Sequence, residues 1–112
     1  MHPSDHVEGV EVLWRPGCPY CARLRRGLRR RGIATTEFDI WNDTSAAARV
    51  RNVTGGDETV PTVFVGSVVM VNPSLRQVVA AITSEFPDRT HEFFGEQGAT
   101  GRSWWAHLRR RR

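Results

Sequence analysis

With 112 residues, 39% of them hydrophobic, the chain has material for one modest core and no second domain of ordinary size. Its net charge of +4 rests on sixteen arginines and no lysine, and it is unevenly placed. Residues 88–112 hold six arginines against Asp88, Glu92 and Glu96, so the high isoelectric point belongs mainly to that stretch and is no signature of a nucleic-acid-binding domain. No apolar run approaches a membrane span. Met1–His6 is polar and lacks the apolar core of a secretion signal, so a cytoplasmic location is expected. In that compartment structural disulfides are rare, and a close pair of cysteines points to redox catalysis or metal binding.

In chain order, Val7 to Trp14 predicts a first strand, with Val10 and Val12 on one face, ending at the turn cluster Arg15-Pro16-Gly17. A helix is expected from about Pro19 to Arg31, with proline in its first turn and Gly32 closing it. Cys21, Leu24 and Leu28 form its core stripe, and the arginines from 23 to 30 read most simply as its solvated face. Ile33 to Trp41 predicts a second strand, with Thr36, Phe38 and Ile40 alternating against Glu37 and Asp39.

Asn42-Asp43-Thr44 offers N-cap candidates for a second helix that holds Ala46, Val50 and Val53 on one side and closes at Gly55-Gly56. Thr62 to Val65 and Val68 to Val71, joined by Gly66-Ser67, give the strongest hairpin signal. Asn72-Pro73 is expected to open the last helix as cap and first helical residue, ahead of Leu75, Val78, Val79, Ile82 and Phe86 at helical spacing. The order β-α-β-α-β-β-α makes the first two strands parallel and the last two an antiparallel hairpin. A domain over 7–86 is expected, between an N-terminal tail, 1–6, and a C-terminal tail, 87–112, that carries Trp104, Trp105, Leu108 and four terminal arginines.

The chemistry gathers at Cys18-Pro19-Tyr20-Cys21, which holds the only two cysteines and stands where strand gives way to helix. A thiol at the first turn of a helix meets unpaired backbone N–H groups and the positive end of the helix dipole, an environment that favours a reactive thiolate. Cys21, one turn further in, is within disulfide reach and less exposed. A zinc site would need two further ligands, and His2, His6, His91 and His107 all fall outside the expected core, so no metal is expected.

The C-x-x-C at a strand-to-helix junction, the element order and Thr59-Val60-Pro61-Thr62 before the third strand together resemble the glutaredoxin branch of the thioredoxin-fold family. The resemblance covers roughly residues 7–86. Cys18-Pro19-Tyr20-Cys21 is similar to the dithiol active-site motif of that family, and Thr59-Val60-Pro61 to its cis-proline loop. Within the branch, Thr59-Val60-Pro61-Thr62-Val63 with Asn72-Pro73-Ser74 resembles the mycoredoxins of actinomycetes, which work with mycothiol. Glutathione-dependent members usually carry Gly-Gly and an acidic residue where Asn72-Pro73-Ser74 stands.

The resemblance implies a thioredoxin-like α/β fold with a four-stranded mixed sheet. It implies a thiol–disulfide oxidoreductase in which Cys18 attacks mixed disulfides between proteins and a low-molecular-weight thiol, and a second small thiol, or Cys21, then releases the thiol held on Cys18. Thr59, Val60 and Pro61 would line the substrate groove, a cis Pro61 setting the Val60 backbone beside Cys18 and keeping a metal from both sulfurs. Arg15 would pair a carboxylate or polar head of the small thiol, and Tyr20 and Trp14 would flank the groove. As residue types, Trp14 and Trp41 read first as packing residues.

No cofactor need be bound. Mycothiol, or glutathione, would serve as reducing co-substrate, with NADPH electrons arriving through a separate reductase. The partners implied are that thiol, disulfide-bearing proteins and the reductase, with no nucleic acid and a monomeric state. The apolar segment of the tail is too short for firm binding to a membrane surface. Two alternatives stand beside this reading: a redoxin driven by glutathione or by thioredoxin reductase, and a non-catalytic thioredoxin-fold module that binds a partner through its basic tail.

Overall fold

The computed structural model describes residues 7–88; the expectations for residues 1–6 and for the tail beyond Asp88 lie outside the described residues. Four strands, β1 (Val10–Trp14), β2 (Thr36–Asp39), β3 (Thr62–Val65) and β4 (Val68–Val71), form one sheet in the order β2-β1-β3-β4. Three helices, α1 (Pro19–Arg30), α2 (Thr44–Thr54) and α3 (Leu75–Glu85), complete it. β1 runs parallel to β2 and antiparallel to β3, and β3 pairs antiparallel with β4, as the element order requires. This is the expected α/β thioredoxin-like architecture.

The burial follows from the strand order. β3 is central and every residue from Thr62 to Val65 is buried, the continuous apolar reading of a strand covered on both faces. One face carries Val10, Val12, Val63 and Val65 against Leu24 and Leu28 of α1 and Val78 and Ile82 of α3. The other packs Leu13, Ile40 and Phe64 against Ala46, Ala47 and Val50 of α2, and both cysteines join this second cluster. Each large side chain so buried contributes about 1.5–3 kcal/mol. On the first face, α1 and α3 approach closely: a Cβ built on Gly27 would lie 3.0 Å from Leu75 Cδ2.

Several local expectations are revised. β1 starts at Val10, not Val7, because the Val7 N–H bonds the Gly66 carbonyl at 2.9 Å and Gly9 accepts from Gly66 N–H at 3.3 Å, an irregular pairing onto the hairpin turn. β2 is confined to Thr36–Asp39; Ile33 is instead drawn to α1, its N–H bonding the Leu28 carbonyl at 3.0 Å after Gly32 turns the chain at φ 69°. α1 ends at Arg30, one residue short of the expected bound.

The entry to α3 also differs. Ser74, not Asn72, is the N-cap: its side chain accepts from Gln77 N–H at 3.1 Å while Gln77 Oε1 accepts from Ser74 N–H at 2.8 Å. Pro73 therefore precedes the helix. A reciprocal Ser-x-x-Gln box satisfies two backbone donors and so overrides the Asn-Pro signal. The expected cap of α2 is found within its cluster: Asp43 accepts from the Ser45 hydroxyl and from the Ala46 and Ser45 N–H groups, which holds its carboxyl below the usual range.

Candidate active site

β1 delivers the chain through Arg15-Pro16-Gly17, Gly17 turning at φ 77°, and Cys18 then caps α1. The Cys18 sulfur accepts the Cys21 backbone N–H at 3.2 Å, doing with sulfur what Ser or Asp does at other helix starts. No acidic residue stands in the first turn of α1, so the positive end of its dipole is left to this sulfur. Cys18 is 7% exposed and Cys21 1%, both as free thiols.

The opposite wall is the loop ahead of β3. The Val60-Pro61 peptide bond is cis, and the Cys18 thiol donates to the Val60 carbonyl at 3.8 Å. Thr62 Oγ1, wholly buried, donates to the Thr59 carbonyl at 2.8 Å, and the Asn72 N–H donates to the Pro61 carbonyl at 2.7 Å, so the loop is fixed from both ends. The Val60 N–H has no partner among the described residues.

Burial pushes the Cys21 thiol up to about 12, helped by its hydrogen bond with Cys18; hydrogen bonding from the Arg15 backbone pulls more weakly the other way. Cys21 is therefore a neutral thiol over the working pH range.

The structure brings Cys18, Cys21, Val60 and Pro61 together and places Thr59, exposed, at the loop's outer edge. Tyr20 is 60% exposed beside the motif. Arg15 lies half-buried with Nη1 donating to the Pro16 carbonyl at 3.0 Å and its guanidinium 5.4 Å from the Trp41 ring centroid. Trp14 packs on the second core cluster, as its residue type suggests, and lies under the Arg25 guanidinium at 3.7 Å. Trp41, expected to pack, is 62% exposed, and sequence reasoning missed its place beside Arg15. Among the described residues no group of three or more His, Cys, Asp or Glu side chains could hold a metal ion, and no helix is long and apolar enough to cross a membrane.

A parallel-and-antiparallel sheet of this order, with a C-x-x-C at the head of α1 facing a cis-proline loop, defines a thioredoxin-fold protein of the redox class. The glutaredoxin family model matches residues 10–71. A Mycobacterium tuberculosis protein named as a glutaredoxin is 42% identical over 66 residues, 58% of this chain and 79% of its own length. Among solved structures, a glutaredoxin from Brucella melitensis superposes with a TM-score of 0.53 at 31% identity, over 74% of this chain and 89% of its own. A mutant of the thioredoxin-like protein BC3987 shares the fold, with a TM-score of 0.62 at 23% identity over 69% of this chain and 97% of its own. The chain belongs to the glutaredoxin family, whose members are thiol–disulfide oxidoreductases.

Proposed function

We propose that the chain reduces mixed disulfides between proteins and a low-molecular-weight thiol, with Cys18 as nucleophile and mycothiol as the thiol. The observation that carries the reaction is the position of the Cys18 sulfur. It caps α1, accepting the Cys21 N–H at 3.2 Å, and faces the Val60 carbonyl at 3.8 Å. Its place at the helix start, with that one backbone donor, supports Cys18 as the nucleophile, and the adjoining loop can align an incoming disulfide.

The Cys18 thiolate attacks the small-thiol sulfur of the mixed disulfide. A new sulfur–sulfur bond forms to Cys18, and the protein's sulfur leaves with the electron pair and takes up a proton. A second small thiol then attacks the Cys18 adduct, releasing the small-thiol disulfide and restoring Cys18. NADPH, through a separate reductase, returns that disulfide to thiol. Cys21, neutral and buried, is the slower resolving group of the two.

Val60 supports substrate alignment through its free N–H and its carbonyl, which offer β-type pairing to a peptide-like arm. Arg15 and Trp41 together, and the exposed Tyr20 within the motif, supply the outer contacts, with Thr59 at the rim. The choice of mycothiol rests on Asn72-Pro73-Ser74 at the start of α3, where glutathione-using relatives usually carry Gly-Gly and an acid, and on the likeness to a mycobacterial protein.

The domain, 7–86, is proposed to work in the cytoplasm as a monomer. The test is reduction of a small mixed disulfide under three regenerating systems: mycothiol with its reductase, glutathione with its reductase, and thioredoxin reductase alone. Turnover with mycothiol only is expected. Turnover with glutathione only would reassign the thiol, and turnover with none would remove the enzymatic reading.

A further inference from the structure

A groove of about 710 Å³ runs between α1 and the loop from β4 into α3. Arg23, Arg26 and Arg30 line one side of it and Asn72 and Leu75 the other, with Tyr20 at its head. No acidic residue lines the groove. The other arginines of this helix are spoken for: Arg25 Nε meets Glu37 at 2.8 Å and Arg29 meets the same carboxylate at 3.7 Å. Arg23, Arg26 and Arg30 are exposed and have no acidic partner among the described residues.

The spacing of these arginines carries an electrostatic cost. Arg23 with Arg26, and Arg26 with Arg30, are like charges at the spacings that face one another on a helix and so repel. An anionic partner would relieve that repulsion.

The head of the groove adjoins the motif and the proline loop. Tyr20 belongs to the Cys18–Cys21 motif, and Asn72 is bonded through its N–H to the Pro61 carbonyl. From Tyr20 to Arg30 the helix covers about 15 Å, the reach of about four to five extended residues.

We infer that this groove takes an acidic segment of the substrate protein, adjacent to the cysteine that carries the small thiol, with Arg23, Arg26 and Arg30 as its binding residues. The inference rests on the mixed-disulfide reading above and names its substrate class. Binding would be electrostatic, weakened by salt, and would select among protein disulfides without touching the chemistry at Cys18.

Two short peptides of equal length test it, one with Asp and Glu beside a central cysteine and one with Asn and Gln in their places. With serine replacing the peptide cysteine, the acidic peptide should shift the amide resonances of Arg23, Gly27 and Arg30 in the full reduced chain, and the neutral peptide should not. As mixed disulfides with the small thiol, the acidic peptide should turn over with kcat/KM roughly tenfold higher at low salt, from three exposed charge contacts. The triple variant Arg23→Gln/Arg26→Gln/Arg30→Gln should erase that preference and leave the neutral peptide unchanged, while a triple Arg→Lys variant should keep most of it. A preference that survives the glutamine variant, or an acidic peptide that shifts none of these amides, would overturn the inference. So would inorganic phosphate at equal concentration shifting them to the same extent. Groove binding without turnover of either peptide would uphold the acidic groove and overturn the reaction instead.

Discussion

The Cys21 backbone N–H points at the Cys18 sulfur across 3.2 Å, and this contact, with the deeper burial of Cys21, makes the two thiols of the motif unequal. Cys18 is the helix cap, at the edge of the core and facing the Val60 carbonyl; Cys21 is packed inside it. Turnover should follow that inequality. Cys18→Ser is expected to reduce mixed-disulfide reduction to the uncatalysed background, and Cys21→Ser to stay within a few-fold of the parent, because in the proposed cycle a second small thiol releases Cys18. Steady-state rates of the two variants at saturating small thiol check this. Equal loss in both would show that Cys21 is obligatory.

Burial of Cys21 also predicts a pH dependence of stability. Its ordinary value is 9.0, and in the folded chain it is pushed up to about 12. Above pH 9 the unfolded chain loses a proton that the folded chain retains, so unfolding gains ground as pH rises. The contribution is intact below 9 and is lost progressively towards 12, at up to about 1.4 kcal/mol per pH unit. Urea unfolding of the parent and of Cys21→Ala, measured on both sides of pH 9, should show a steeper alkaline decline for the parent. Parallel profiles would contradict the assigned environment.

Gly66 opens the two-residue turn between β3 and β4 at φ 58°, and a Cβ there would lie 2.6 Å from Glu85 Oε1. That carboxylate accepts from Ser67 N–H at 2.9 Å, tying the hairpin to the end of α3. Gly66→Ala should therefore cost about 1–2 kcal/mol from the backbone conformation alone, and more if Glu85 is displaced. Thermal unfolding of the variant reads this directly; an unchanged midpoint would contradict it.

Much of this was legible in the sequence because the signals were local. β3 and β4 fall where their apolar runs and the Gly66-Ser67 break put them, and α1 and α2 lie within a residue of their caps. The proline loop and the C-x-x-C were legible as motifs, and the geometry joining Cys18 to Val60 required the fold. The misreadings have particular causes. Asn72-Pro73 looks like a helix start, but Asn72 adopts φ 53° and hands the cap to Ser74. Residues 7–9 have strand character and pair irregularly with the hairpin turn. Contacts between side chains distant in sequence left no local trace: Arg49 reaches Glu11 at 2.7 Å and stacks 4.4 Å from Phe64, and Arg15 sits over Trp41.

The arginines of α1 divide in the same non-local way, and stability can report the division. Arg25 bonds Glu37 and covers Trp14, both partners being only partly exposed. Arg25→Gln should cost about 1 kcal/mol, through the ion pair and the cation–π contact, whereas Arg23→Gln should stay within about 0.5 kcal/mol. Chemical denaturation of the two variants decides it; equal effects would show that the Arg25 contacts contribute nothing.

The reaction itself is tested most directly by trapping. Cys21→Ser, exposed to a protein carrying a mycothiol mixed disulfide in the absence of free thiol, can take its first step and go no further. Intact-mass and peptide analysis should then find the chain heavier by the mass of one mycothiol, on Cys18, with the substrate protein released as free thiol. Recovery of the chain cross-linked to the substrate protein, or of an unmodified Cys18, would contradict the account.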